Sequence, residues 1–241
     1  MEQSHTRTTK ILLGILVASI LFGIFYIPTV NSTIKQVYQA EVKERDQLYR
    51  DLLKLSDVDF TVGATNPKVH IITYNDTDCE YCHKMEPRFE RLLREYPYEV
   101  AITYRSHDLP TYPHSTYEML ALECVGIYAG AQAYREFQNN FLYPNQFTEP
   151  GDYTEQVTLF ANSFLLGNYA EEVSACIKDP ATKERIDRKR ATGSTLGARL
   201  TPTMVYVDRE GNYKLQSGSL PYEQLLPALN AFLGPGNELG K

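Results

Sequence analysis

Cys79-Glu80-Tyr81-Cys82 is the stretch of this chain best equipped for chemistry. Two thiols at that spacing can close a small, reversible disulfide, so thiol–disulfide exchange is the leading reading. His83 follows directly, and C-x-x-C-H is also the attachment signature of c-type haem, for which Met85, Met119 or Met204 would serve as second axial ligand. Zinc held by Cys79, Cys82 and two further ligands is a third option, but a matching second C-x-x-C or an H-x-x-x-H is missing.

The flanking residues favour the first reading. Val69 to Tyr74 (Val-His-Ile-Ile-Thr-Tyr) has the pattern of a buried strand, and Asn75 to Asp78 is turn chemistry able to cap a following helix. Glu80 to Tyr96 is then helical, with Met85, Phe89, Leu92 and Leu93 on one face. A strand-to-helix turn puts the first sulfur at a helix N-terminus, where a thiolate is stabilised. Cys79 is therefore the expected nucleophile, exposed and with a lowered pKa, and Cys82, one turn in, the more buried resolving thiol. Asp76 and Asp78 read as turn and cap residues. His70, His83, His107 and His114 read as surface or strand histidines, with His83 able to act electrostatically on Cys82.

Beyond the motif, Val58 to Val62, Glu99 to Tyr104, Thr201 to Val207 and Tyr213 to Ser217 read as strands, the last two joined by a turn at residues 208–212. About 90 residues between Tyr104 and Thr201 carry helical patterns, at Ser115 to Phe141, Glu155 to Leu166, Tyr169 to Ile177 and Pro180 to Leu196, with Pro144, Pro150 and Gly151 marking a loop. Pro221 to Leu233 closes the chain as a helix. Hydrophobic residues make up 43% and charged ones 22%, as in a globular core. The net charge of −6 argues against nucleic acid as a partner, since phosphate binding needs a basic surface.

The N-terminus is different. Ile11 to Val30 contains no charged residue, long enough for a bilayer-spanning helix of roughly 20 residues. Arg7 and Lys10 precede it, which favours a cytoplasmic tail over residues 1–10 and an extracytoplasmic remainder, in a periplasm or at a cell surface. A cleaved signal peptide is the competing reading. Either way the rest is exported, where disulfides persist. Residues 31–57 form a charged helical spacer, with Ser32 or Thr33 as its cap. The expected organisation is thus tail 1–10, anchor 11–30, spacer 31–57, a domain over 58–236 and a tail over 237–241.

Together these features resemble the thioredoxin superfamily, and more closely the exported DsbA-like thiol:disulfide oxidoreductases. The resemblance rests on the strand–Cys79-x-x-Cys82–helix order, on Pro87 five residues after Cys82, on Thr201-Pro202-Thr203 opening a strand like the family's cis-proline loop, and on the long helical insertion. It covers roughly residues 58 to 235. It implies an α/β thioredoxin-like fold with a helical insertion (about 112–197) between the second and third core strands, here preceded by a transmembrane helix. It further implies a redox-active Cys79–Cys82 disulfide that needs no cofactor and no metal, and substrate binding at Thr201 and Pro202, where an extended segment could add as a strand. Such proteins also place a buried acid near the cysteines as proton acceptor, a role open to Asp76 or Asp78.

Glu80 and Tyr81, between the cysteines, are expected to tune the redox poise. Glu80 stands where strong oxidants of the family often carry proline, and its charge should raise the Cys79 pKa and weaken the oxidant. Cys124 and Cys176, on separate inserted helices, are expected either to form a structural disulfide or to pack as free thiols. The implied partners are unfolded or partly folded exported proteins with cysteines, and a DsbB- or VKOR-like membrane protein that reoxidises the pair. A reductase or isomerase would need an electron donor instead. A tethered binding module or chaperone without catalysis is the alternative of a different class; retention of both cysteines and of Pro202 argues against it.

Overall fold

A computed structural model describes residues 2–56, 58–110, 115–142 and 153–240. His114 and the loop markers Pro144, Pro150 and Gly151 lie outside the described residues. The chain divides into two compact units, Met1–Asp51 and Leu52–Lys241.

The first unit is helical. Helix α1 runs from Glu2 to Leu53 without interruption, so the separate spacer helix expected from Ser32 onward does not form. Ser32 and Thr33 do not cap a helix start. Their hydroxyls donate to the Thr29 carbonyl at 2.8 and 3.0 Å, a bond that lets Ser and Thr sit inside a continuous helix. The apolar run 11–30 lies within α1, and most of its side chains fall outside the described set. Among the described residues no helix is long and apolar enough to cross a membrane.

The second unit is built on a five-stranded sheet in the order β1-β3-β2-β4-β5: β1 Phe60–Gly63, β2 Val69–Asn75, β3 Val100–Ser106, β4 Thr203–Asp208 and β5 Tyr213–Ser217. β2 and β3 pair in parallel, joined by α2 (Glu80–Glu95), and the other neighbours are antiparallel. β2 and β3 are buried over almost their whole length, as expected of strands covered on both faces. The C-terminal end of β2 delivers the chain into the turn before Cys79.

The insertion between β3 and β4 comprises α3 (Ser115–Phe137), a π-helical turn (Gln138–Leu142), α4 (Tyr153–Phe164), α5 (Ala170–Lys178) and α6 (Pro180–Leu196). The long helix expected over Ser115 to Phe141 is broken at Gly130, whose φ of 87° only glycine adopts readily, and it ends in the π turn. Asp179 caps α6 by accepting from the Ala181 N–H, with Pro180 in the first turn. Cys124 of α3 and Cys176 of α5 form a disulfide with their Cα atoms 5.9 Å apart, which settles the alternatives for that pair. Helix α7 (Tyr222–Leu233) completes a core in which Phe89 and Leu92 of α2 and Leu225 and Leu229 of α7 pack with Ile71, Ile102 and Tyr206 of the sheet.

Candidate active site

Asp76 organises the turn that presents Cys79. Its carboxylate accepts from the N–H of Asp78 at 3.0 Å, from the N–H of Leu109 at 2.7 Å and from the Ser115 hydroxyl. These bonds tie the end of β2 to the chain leaving β3 and to the start of α3. Burial raises the Asp76 pKa to about 7 against the pull of Ser115 and the two N–H groups. Cys79 then occupies the N-cap of α2, its own N–H donating to the Asp76 carbonyl and its carbonyl accepting from Cys82 and His83. Its sulfur thus lies at the positive end of the helix.

Both cysteines are free thiols. The Cys79 pKa is lowered to about 6, first by the hydrogen bond from Cys82 and then, against burial, by Thr201 and the N–H groups of Cys82 and Tyr81. Cys82 goes the other way: burial, with Cys79 beside it, pushes its thiol well above the ordinary value. The pair is therefore electrostatically split, with one sulfur poised as thiolate and the other held as thiol.

Cys79 is not exposed as expected; only 1% of its surface reaches solvent. The reason is the loop before β4. The Thr201–Pro202 peptide is cis, and the Cys79 thiol donates to the Thr201 carbonyl at 3.2 Å. β4 opens at Thr203 rather than Thr201; the Pro202 carbonyl accepts from the Gly218 N–H at 2.8 Å, and it is the Thr201 carbonyl that faces the Cys79 sulfur. Cys79, Cys82, Thr201 and Pro202, distant in sequence, thus meet at one place. Tyr81 and Leu200 beside them expose 57% and 45% of their surface.

Glu80 faces solvent, and its carboxylate is paired with the Lys84 ammonium at 2.5 Å, while Lys84 also lies 5.2 Å from the centre of the Tyr81 ring. The negative charge expected to oppose the thiolate is thus shared with a lysine one turn below. His83 donates its Nε2–H to the Thr77 carbonyl at 3.4 Å, and burial lowers its pKa to about 4. It is neutral at pH 7 and brings no charge to Cys82. His70 bonds Thr103 at 2.5 Å within the sheet, whereas His107 is buried and reaches the Ala198 carbonyl at 3.0 Å, against the expectation of a surface or strand position. Met85, Met119 and Met204, the axial-ligand candidates, are fully buried, and Met85 accepts from the Leu220 N–H. Among the described residues no group of three or more His, Cys, Asp or Glu side chains is disposed to hold a metal ion.

Two further acids near the site escape sequence reasoning. Glu86, one turn beyond Cys82 on the buried stripe of α2, accepts from the Tyr104 hydroxyl at 3.1 Å and from Asn139 at 3.2 Å, with Arg135 at 3.6 Å. A charged residue on an apolar helix face was a usable signal. Glu118 of α3 is buried behind the Asp76–Asp78 turn, and no spacing connects it to Cys79.

The thioredoxin family pattern matches residues 56–229. No curated protein matches the chain by sequence. Among solved structures, DsbA2 of Pseudomonas aeruginosa is 21% identical with a TM-score of 0.60, covering 74% of this chain and 97% of its own. BcfH of Salmonella enterica Typhimurium is 20% identical with a TM-score of 0.64, covering 96% and 99%. The thiol-disulfide exchange protein alpha-DsbA2 of Wolbachia pipientis is 17% identical with a TM-score of 0.62, covering 81% and 98%. These likenesses carry the fold, and the family match spans well over half the chain. The chain belongs to the thioredoxin family.

Proposed function

We propose that this protein is tethered to a membrane by residues 11–30 and exchanges disulfides with cysteine pairs of exported proteins through Cys79 and Cys82, as a disulfide-forming oxidant. The observation that carries the reading is the split between the two sulfurs at the start of a helix: Cys79 lowered to about 6, first by the hydrogen bond from Cys82, and Cys82 buried and raised. In the oxidising direction a substrate thiolate attacks Cys79 of the Cys79–Cys82 disulfide. The Cys82 sulfur leaves and takes up a proton. A second substrate thiolate then attacks the substrate sulfur of the mixed disulfide, releasing the Cys79 thiolate. Two electrons pass from the substrate dithiol to the protein. A stable Cys79 thiolate favours this direction because it stabilises the reduced protein.

Thr201 and Pro202, just ahead of β4 and beside the cysteines, supply the surface on which an extended substrate segment adds as a strand. No separate cofactor takes part, the disulfide being the redox group. A membrane protein of the DsbB or VKOR kind would return the pair to the disulfide. Arg7 and Lys10 ahead of an uncharged apolar run support both the tether and an extracytoplasmic position for the domain.

Trapping in cells tests the exchange. Cys79→Ser should abolish turnover. Cys82→Ser should accumulate mixed disulfides with exported proteins, because the resolving thiol that would release them is gone. If Cys82→Ser captures none under mild oxidation, the mechanism fails. The tether is tested by fractionation: the full chain should stay with membranes through an alkaline wash, and a chain beginning at residue 32 should not.

A further inference from the structure

A cleft of about 570 Å³ opens between α2 and the end of α3, among residues for which the exchange mechanism has no use. Three of its lining residues each carry a buried polar atom without a hydrogen-bond partner: Glu86 Oε1, Arg135 Nε and Asn139 Oδ1. Glu86 exposes only 3% of its surface. Its other oxygen accepts from the Tyr104 hydroxyl at 3.1 Å and from the Asn139 amide at 3.2 Å. Arg135 Nε stands 3.6 Å from that same oxygen, too far for a hydrogen bond. Because the Asn139 NH₂ donates to Glu86, its carbonyl oxygen is the atom left over. Asn139 belongs to the π-helical turn Gln138–Leu142, a rare geometry found mostly at functional sites.

We propose that this cleft binds a primary carboxamide, either the head of an asparagine or glutamine side chain or a small free amide. Arg135 Nε and the Asn139 amide both approach one carboxylate, so a single small group can reach all three free positions. Two of these are acceptors and one is a donor. A primary carboxamide offers the matching set, two N–H donors and one C=O. A guanidinium or ammonium group has no acceptor for the Arg135 N–H and adds a like charge beside it. A carboxylate has no donor and meets Glu86, with the exposed Glu90 and Glu136 also lining the cleft. Each of these misfits leaves a buried polar group unpaired, which is the main source of discrimination at such sites.

The fit holds in both protonation states of Glu86. Burial raises its pKa to about 7, against the pull of Arg135, Asn139 and Tyr104. With Glu86 ionised, the ligand NH₂ donates to Glu86 and Asn139, and the ligand C=O accepts from Arg135. With Glu86 protonated, its hydroxyl donates to the second lone pair of the ligand C=O, and the NH₂ keeps Asn139. His83, also lining the cleft, is neutral at pH 7, and Glu136 accepts from Gln132 at 2.8 Å. The volume exceeds what one amide group needs and leaves room for its stem and flanking backbone.

Ligand-observed NMR titration of the full chain tests the proposal with N-acetylglutamine N-methylamide, its glutamate and arginine counterparts, and propionamide. The glutamine compound should bind about tenfold or more tightly than the other two blocked amino acids. Equal binding of the three overturns the proposal. Propionamide binding as tightly as the glutamine compound assigns the cleft to free amides; tighter binding of the glutamine compound assigns it to a side chain carried by a polypeptide. Arg135→Lys keeps the charge and removes the Nε–H, so it should weaken the glutamine compound about fivefold or more and leave the arginine compound unchanged. If a melting curve shows Arg135→Lys unfolded, Asn139→Ala should give the same loss of the glutamine compound. Unchanged affinity in the folded variant overturns the proposal, as does a crystal soaked with the glutamine compound in which water alone meets Glu86, Arg135 and Asn139. The inference stands apart from the exchange function: a chain that exchanges no disulfide contradicts that function and leaves this titration intact.

Discussion

At the residue scale, the proposed exchange turns on two sulfurs three positions apart whose surroundings differ. Cys79 is lowered by donors and by the helix end, Cys82 raised by burial. This separation has a signature in stability as well as in rate. The Cys79 pKa in the folded, reduced protein lies below that of the unfolded chain, so the thiolate contributes stability that is fully present at alkaline pH and lost as pH falls through about 6. The oxidised protein lacks that contribution. The melting temperature of the reduced form relative to the oxidised form should therefore rise between about pH 6 and pH 9, as scanning calorimetry of the two forms can check. No rise would mean that the thiolate is not stabilised by the fold. The cysteines, Pro202 and the turn acids were legible because their types and spacing are tied to local chemistry. The covering of Cys79 by Thr201, the Lys84 partner of Glu80 and the orphaned Glu118 were not, because each depends on residues brought together from elsewhere in the chain.

At the scale of elements, sequence patterns located every strand to within a few residues, since alternating or continuous apolar runs bounded by turn residues are local signals. The misplaced boundaries have local causes as well. α1 continues through Ser32 and Thr33 because their hydroxyls find a carbonyl one turn back, and α3 breaks at Gly130 because its backbone turns left-handed. Two residues beyond the end of α4, Leu166 has φ 53° and is followed by Gly167, whose N–H reaches back to the Asn162 carbonyl. Glycine is the residue suited to that left-handed position, and Leu166 exposes 88% of its surface, so little packing offsets the cost. Leu166→Gly should raise stability by about 1 kcal/mol in urea titrations. Arg105 of β3 shows the opposite case. All five of its N–H groups are used: two on Asp59, two on the carbonyls of Leu52 and Lys54, one on the Tyr74 hydroxyl. It fixes the entry into the domain at Leu52 to the central sheet. Arg105→Lys cannot reproduce the fork and leaves Asp59 buried and underpaired, so it should cost about 3 kcal/mol or more in the same titrations.

At the scale of the whole molecule, the domain combines a thioredoxin-like sheet with a helical insertion that the sheet alone does not hold in place. The Cys124–Cys176 bond closes a loop of 52 residues within that insertion, and Glu123, buried beside it in α3, pairs with Lys189 and Arg185 of α6. Chain-entropy arithmetic for such a loop gives about 4 kcal/mol, so Cys124→Ala with Cys176→Ala should lower unfolding stability by about that amount while disulfide exchange survives below the new midpoint. Loss of exchange in the still-folded double variant would show that the insertion does more than support the site. The even number of cysteines in a chain expected to be exported made this bond readable as an option, but only the packing of α3 on α5 brings the two within bonding reach. The account stands most directly on the redox titration of Cys79 and Cys82 against glutathione in the full chain. A single two-electron transition is expected between about −270 mV and about −120 mV, the span from a reducing thioredoxin to a strong oxidant. A midpoint at or beyond either end, or a pair that never equilibrates with glutathione, would contradict it.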